Sequence, residues 1–291
     1  MRIPRQEVLA ALRSQIADGN AIIGASAGTG LSAKSAEAGG ADLIFIYNSG
    51  RFRMAGRGSA AGLLPYGDAN AIVLDMVGEV LPIVKKTPVM AGVCATDPLR
   101  QMPFFLEDLK RLGFSGVQNF PTVGLFEGMI RTTFEETGMG FDLEVDMIRL
   151  AHQMDLLTAP YVFDEGQAIA MAEAGADILV PHMGTTANGS VGAITTISMD
   201  ESVRRIGAML AAAKAVKPEI LVICHGGPIA EPEHASEIMA RVPGVVGFLG
   251  ASSTERLPVE VAIADTIRRF KTLTWSGDGD RNPLAGNRVP D

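Results

Sequence analysis

Two of the chain's four histidines stand directly after short apolar runs, in Pro181-His182-Met183-Gly184-Thr185-Thr186 and in Cys224-His225-Gly226-Gly227-Pro228. Imidazole transfers protons near neutral pH, or ligates a metal when neutral. One such histidine reads more readily as structural. Two at corresponding places on neighbouring runs read as a catalytic pair, His182 and His225. A third run ends in Val93-Cys94-Ala95-Thr96-Asp97-Pro98. Asp97 can orient an imidazole or hold a divalent cation, and it can equally cap a turn before Pro98. Cys94 reads as a small buried residue rather than a nucleophile. A fourth run leads into Asn119-Phe120-Pro121-Thr122. Asn119 and Thr122 suit a carbonyl or carboxylate, or a structural turn. Ser26 and Asn48, at the ends of the first two runs, join the binding candidates. Glu136 precedes Gly138-Met139-Gly140 and either reaches the same mouth as an acid or base or lies exposed on a helix.

The last run leads into Gly250-Ala251-Ser252-Ser253-Thr254-Glu255-Arg256. In barrel enzymes phosphate often sits between the loops after strands seven and eight. Gly226, Gly227 and Gly250 permit close backbone approach, Ser252 and Ser253 add hydroxyls, and Arg256 adds charge. These residues are the expected anion site. Gly28-Thr29-Gly30-Leu31-Ser32-Ala33 fits a dinucleotide fingerprint. However, the second run closes on Tyr47-Asn48-Ser49, with no acid for a ribose. A P-loop would need glycine where Ala33 precedes Lys34-Ser35. The segment reads best as a tight turn with backbone N–H groups suited to an anion.

These residues need a frame. Eight apolar runs begin near residues 21, 42, 88, 115, 156, 177, 220 and 245, each leading into a helix-like stretch. Continuous apolarity means strands buried on both faces, and regular strand–helix alternation means parallel pairing. The pattern predicts an α/β fold: a single (β/α)8 TIM barrel over residues 1–275, with an extra N-terminal helix over 5–17. Residues 276–291, rich in Gly, Pro, Asp and Asn, are expected to form an extended or disordered tail. Glycines at 39–40, 113 and 175 mark helix C-termini. Two stretches read as long loops at the catalytic rim, 48–67 and 183–198. The first carries Arg51, Arg53 and Arg57 among glycines and is expected to be mobile and positive.

A hydrophobic share of 47% in 291 residues supports one large core, and 5% aromatics make it mainly aliphatic. The net charge of −8 leaves no basic excess for nucleic acid. Two cysteines outside any CxxC pair argue against a disulfide framework or zinc knuckle. No signal peptide or membrane-length apolar run is visible, which makes the cytoplasm the default.

Six segments together resemble the phosphoenolpyruvate hydrolase-like family of TIM barrels: Gly92-Val-Cys-Ala-Thr-Asp-Pro, Asn119-Phe-Pro-Thr-Val-Gly-Leu, Glu135-Glu-Thr-Gly-Met-Gly, Pro181-His-Met-Gly, Cys224-His-Gly-Gly-Pro-Ile and Gly250-Ala-Ser-Ser-Thr-Glu-Arg-Leu-Pro. The resemblance covers roughly residues 5–272. It implies kinship with the barrels of phosphoenolpyruvate mutase, phosphonopyruvate hydrolase and isocitrate lyase. Those enzymes use Mg²⁺ to stabilise a pyruvate enolate. By this resemblance the chain is a hydrolase or lyase for a small anionic 2-oxo acid or phospho-derivative, with Mg²⁺ or another divalent cation as cofactor. Their Asp-x-Asp metal cluster and Lys-x-Cys catalytic segment are absent, and only Asp97 stands where the cluster would be. Some family members are described as signal-transduction barrels, so the competing expectation is a non-catalytic small-molecule-binding barrel. Related barrels assemble through outer helices, which implies a homo-oligomer. The Ala- and Met-rich helix over 199–216 is a candidate contact.

Overall fold

Seven of the eight apolar runs each become one parallel strand and the fifth becomes two, and the computed structural model describes residues 2–274. The strands are β1 (Ile22–Ser26), β2 (Leu43–Ile46), β3 (Val89–Val93), β4 (Gly116–Asn119), β5 (Leu157–Thr158), β6 (Tyr161–Val162), β7 (Ile178–Pro181), β8 (Leu221–His225) and β9 (Val245–Gly250). The helices are α1 (Arg5–Ala17), α2 (Gly30–Ala38), α3 (Asn48–Met54), α4 (Ala69–Val80), α5 (Met102–Leu112), α6 (Gly128–Glu136), α7 (Asp142–Gln153), α8 (Glu165–Glu173), α9 (Met199–Val216), α10 (Pro232–Arg241) and α11 (Arg256–Lys271). They form one nine-stranded parallel sheet in the order β5-β4-β3-β2-β1-β9-β8-β7-β6. The four residues of β2 are wholly buried, as expected for strands covered on both faces.

Nine strands replace the expected eight because the fifth run divides. Pro160 has no N–H, so the ladder breaks between β5 and β6. The polar groups around the break are still used. Ala159 N–H donates to the Val117 carbonyl at 3.0 Å, and the Pro160 carbonyl accepts from Val180 N–H at 2.9 Å. α1 sits at the N-terminal ends of the strands, as expected of the extra helix. Its Arg5 donates to Asp177, just before β7, at 2.8 and 2.6 Å.

Local differences from expectation have local causes. Segment 48–67 is ordered rather than a mobile loop: it opens with α3 and continues with a 3-10 turn at Ser59–Leu63. Polar side chains hold it. Asn48 Nδ2 donates to the Gly62 carbonyl at 2.9 Å, and Ser49 Oγ donates to the Ser59 carbonyl at 2.6 Å. α4 stops at Val80, because Pro82 cannot continue it. At the end of α2, Gly39 keeps a helical φ of −77° and Gly40 takes the left-handed turn at +89°. The expected tail 276–291 lies outside the described residues. Among those residues, no helix is long and apolar enough to cross a membrane.

Candidate active site

β7 and β8 end side by side, which brings together His182, just after β7, and His225, the last residue of β8. His182 and His225 form an isolated parallel bridge, with ring centroids 4.7 Å apart. Gly226 and Gly227 make this junction possible. At φ of +79° and +58°, they fold back on the 183–184 backbone. A Cβ at Gly226 would lie 2.3 Å from the Gly184 carbonyl, and one at Gly227 would lie 2.3 Å from the Met183 carbonyl. Gly227 N–H donates to the Gly184 carbonyl at 2.8 Å. That donor is spent on the fold rather than on an anion.

Hydrogen-bond partners assign opposite tautomers to the two neutral imidazoles. The Leu249 carbonyl can only accept, so His225 carries its proton on Nδ1, 2.7 Å away. His225 Nε2 is then free to accept, and it faces the Tyr161 hydroxyl at 3.4 Å. His182 Nδ1 accepts from Gly184 N–H at 3.0 Å, which leaves Nε2 as the protonated nitrogen. Burial pushes His225 down to about 4, and holds His182, beside it, well below the usual imidazole range. Both rings are therefore neutral at pH 7. Burial also holds the Tyr161 phenol well above its ordinary value.

The charge facing this pair comes from α3. Arg53 is buried, and its Nη2 donates to Ser26 Oγ and, at 3.2 Å, to Glu255 Oε2. Its guanidinium carbon lies 5.4 Å from the Tyr47 ring centre. Burial works against its charge, but Tyr47 and Glu255 outweigh burial and raise its pKa. Nε has no hydrogen-bond partner. Arg53, Tyr47, Tyr161, His182 and His225 all line one cavity of about 30 Å³, together with hydroxyls including Ser59 and Thr186. A neighbouring chamber of about 180 Å³ shares Ser59, Thr185 and Thr186 and extends to Ser252 and Arg256. Arg256 is buried there, donating to Glu260 at 3.0 Å and to the Asn188 carbonyl at 2.9 Å.

The other candidates lie elsewhere or are otherwise engaged. Asn119 Nδ2 and Thr122 Oγ1 donate to Glu144 at 2.5 and 2.7 Å, and the Asn119 amide also brackets the Tyr161 backbone. Asn119 thereby fixes the Tyr161 main chain rather than facing the cavity. Asn48 braces segment 59–62. Ser26 reaches the site only through Arg53. Ser253 Oγ is buried without a partner. Gly250 admits the Thr254 side chain, which a Cβ would meet at 2.1 Å. Glu136 is exposed on α6, away from the cavity. The turn at 28–30, read as an anion cradle, is already filled. Gly28 N–H donates to Glu255 at 2.5 Å and Gly30 N–H to Glu79 at 2.7 Å.

Asp97 is 9% exposed in its side chain and accepts from Asn70 at 2.9 Å, Leu99 N–H at 2.9 Å and Arg100 at 2.5 Å. Burial opposes its charge, but these donors hold its pKa below the usual range. Among the described residues, no three His, Cys, Asp or Glu groups converge as metal ligands. With its oxygens taken by these donors, Asp97 does not fit a resident divalent cation.

Sequence reading missed Tyr47, Tyr161, Glu144 and Glu255, and took Arg53 for a loop charge. Glu144 did leave a signal. It shares the buried face of α7 with Val145, Met147, Ile148 and Ala151, so a carboxylate stands where an apolar residue belongs.

The chain is 60% identical over 270 residues to the ToMV resistance protein Tm-1(GCR237) of Solanum lycopersicum, covering 93% of this chain and 36% of that protein. It thus spans about a third of the relative's length. Phosphonopyruvate hydrolase in complex with oxalate and Mg²⁺ superposes with a TM-score of 0.56 at 18% identity, covering 92% of this chain and 87% of the other. Phosphoenolpyruvate phosphomutase from Streptomyces platensis subsp. rosaceus gives 0.58 at 18%, covering 90% and 87%. At these identities the solved structures establish the α/β barrel-type fold. The matched profile spans residues 7–273, and the chain belongs to the phosphoenolpyruvate hydrolase-like family.

Proposed function

We propose that the chain is a hydrolase or lyase for a small anionic 2-oxo acid or its phospho-derivative, bound at the C-terminal ends of the strands. The observation that carries this reading is one cavity holding a buried guanidinium, two neutral imidazoles of opposite tautomer and a phenol. Arg53 pairs with the substrate carboxylate, and its unpartnered Nε supplies a donor in a dry environment. His182 Nε2–H donates to the carbonyl oxygen that gathers charge as an enolate forms. His225 Nε2 draws a proton through the Tyr161 hydroxyl, either from water in hydrolysis or from a substrate hydroxyl in cleavage. A bound carboxylate also adds negative charge beside both imidazoles, which raises their basicity when substrate is present. The hydroxyl-lined second chamber with Ser252 and Arg256 suits a further polar group of the substrate. Both structural neighbours act on compounds of this kind by name.

Purified protein incubated with a panel of 2-oxo acids and phosphonates, with and without Mg²⁺, should consume at least one. If it binds oxalate but turns over nothing, the non-catalytic binding reading replaces this one. The tomato relative favours that second reading, since it is named for virus resistance rather than for a reaction.

We further read β5 and β6 as the two halves of one fifth strand, closing a (β/α)8 barrel within one domain over 1–275. Both cysteines are free thiols, which suits the cytoplasm. The protein also reads as a homo-oligomer, but through α11 rather than α9. Only Arg256 of α11 is buried. Ile263, Ile267 and Phe270 form a stripe at i, i+4, i+7, exposed by 55–64%. Ile23 of β1 is 37% exposed where an outer helix would cover it. A second copy's α11 would cover such a face.

A further inference from the structure

We propose a second anion-binding site at the opposite end of the barrel, selective for a small, multiply charged phosphate compound. Just before β3 and β4, a cavity of about 290 Å³ opens between the ends of α4 and α5. Its walls carry Arg2, Lys85, Lys86, Lys110 and Arg111, with hydroxyls from Thr87 and Ser115, and no carboxylate lines it. Five cations share one concavity in a chain of net charge −8. Like charges gathered in a cleft repel one another and focus a positive potential, which a polyanion relieves.

The nearby acids offset only part of this field. Asp155 pairs with Arg2 at 3.1 Å, and Asp108 with Arg111 at 2.7 Å. Glu37 accepts the backbone N–H groups of Lys85, Lys86 and Thr87 at 2.7–3.0 Å without pairing with either lysine ammonium group. Lys85 and Lys110 Nζ donate to the Pro82 and Met154 carbonyls at 2.5 and 2.7 Å, each with donors to spare. Lys86 Nζ makes no hydrogen bond among the described residues. Arg2 Nε is buried without a partner. Lysines and arginines at the end of α5 also suit its dipole, but that accounts for Lys110 and Arg111 only. It does not explain Arg2, Lys85 and Lys86, which come from other segments. Ile3, Leu81, Val84 and Leu112 add an apolar wall, so an organic phosphate fits as well as an inorganic one.

The test is calorimetric titration of the full chain with inorganic pyrophosphate at low and physiological ionic strength. One site per chain is expected, weakening with salt. Lys86→Ala with Arg111→Ala, both exposed and outside the fold's core, should weaken binding by about ten-fold or more. Lys34→Ala, an exposed lysine elsewhere, should leave it unchanged. Saturating oxalate should not compete. The proposal is overturned by no heat at millimolar pyrophosphate, by binding that ignores the double substitution, or by full competition from oxalate.

Discussion

Glu255→Ala tests whether Arg53 is held as a buried charge. The Glu255 side chain is 0% exposed and that of Arg53 1%, so the pair is shielded from solvent in the folded chain. The substitution removes one acceptor from the guanidinium at 3.2 Å and another from Gly28 N–H at 2.5 Å. Breaking a buried pair by deleting one partner costs roughly 3–5 kcal/mol. An orphaned buried N–H costs about 1–3 kcal/mol alone, and part of that is already inside the first figure. A net loss of about 4 kcal/mol is a large share of the roughly 5–15 kcal/mol that holds most domains folded. At roughly 2–4 °C per kcal/mol for a chain of this size, the melting midpoint falls by about 8–16 °C. Urea denaturation and thermal scanning both measure the loss. Arg53→Met with Glu255→Leu should recover most of it, because an apolar pair of similar volume avoids the desolvation cost. The double variant should nonetheless fail to bind oxalate. If Glu255→Ala melts within about 1 °C of the unsubstituted chain, Arg53 is not the buried cation described here.

Other consequences can be checked separately. His182→Phe and His225→Phe should each lower kcat on any substrate found by about 10²–10⁴ while changing oxalate affinity only a few-fold, since Arg53 supplies the binding; an unchanged kcat removes them from the chemistry. Burial holds the Glu144 carboxyl at about 7 despite its bonds to Thr122, Val123 and Asn119. A carboxyl raised in the folded state contributes stability that is whole below pH ~4.5 and lost as pH climbs through ~7, about 3 kcal/mol in all; urea midpoints should fall across that window, and Glu144→Gln should flatten the slope. Ile263→Asp with Ile267→Asp should convert oligomer to monomer in light scattering; if both proteins scatter as monomers, α11 is not the contact. Because the Asp97 oxygens are already occupied by Asn70, Leu99 and Arg100, dialysis against a chelator should leave the melting midpoint unchanged, and a fall of several degrees would show a resident cation after all.

What could be read in advance depended on how local its physical signature is. A strand covered on both faces writes its burial into four or five consecutive residues, so β2, β3 and β8 were visible. So were His182 and His225, because they stand directly after such apolar runs. Pro160 marked the split fifth strand only in hindsight, since a missing N–H matters once a ladder partner is known. Arg53 and Glu255 left no such trace: they meet across 202 residues, and a charge carries no local sign of whether it will be buried. The two expected anion cradles show the same limit from the other side. Glycines at 28, 30, 226 and 227 do make tight turns, but Glu255, Glu79 and the Gly184 carbonyl already accept the hydrogen bonds of Gly28, Gly30 and Gly227. Sequence shows that a donor exists and not whether it is spent. The proposed anion site in the first cavity therefore rests on one guanidinium from α3, with partners for Nη2 and none for Nε. The fold keeps that charge dry and leaves one of its donors without a protein partner.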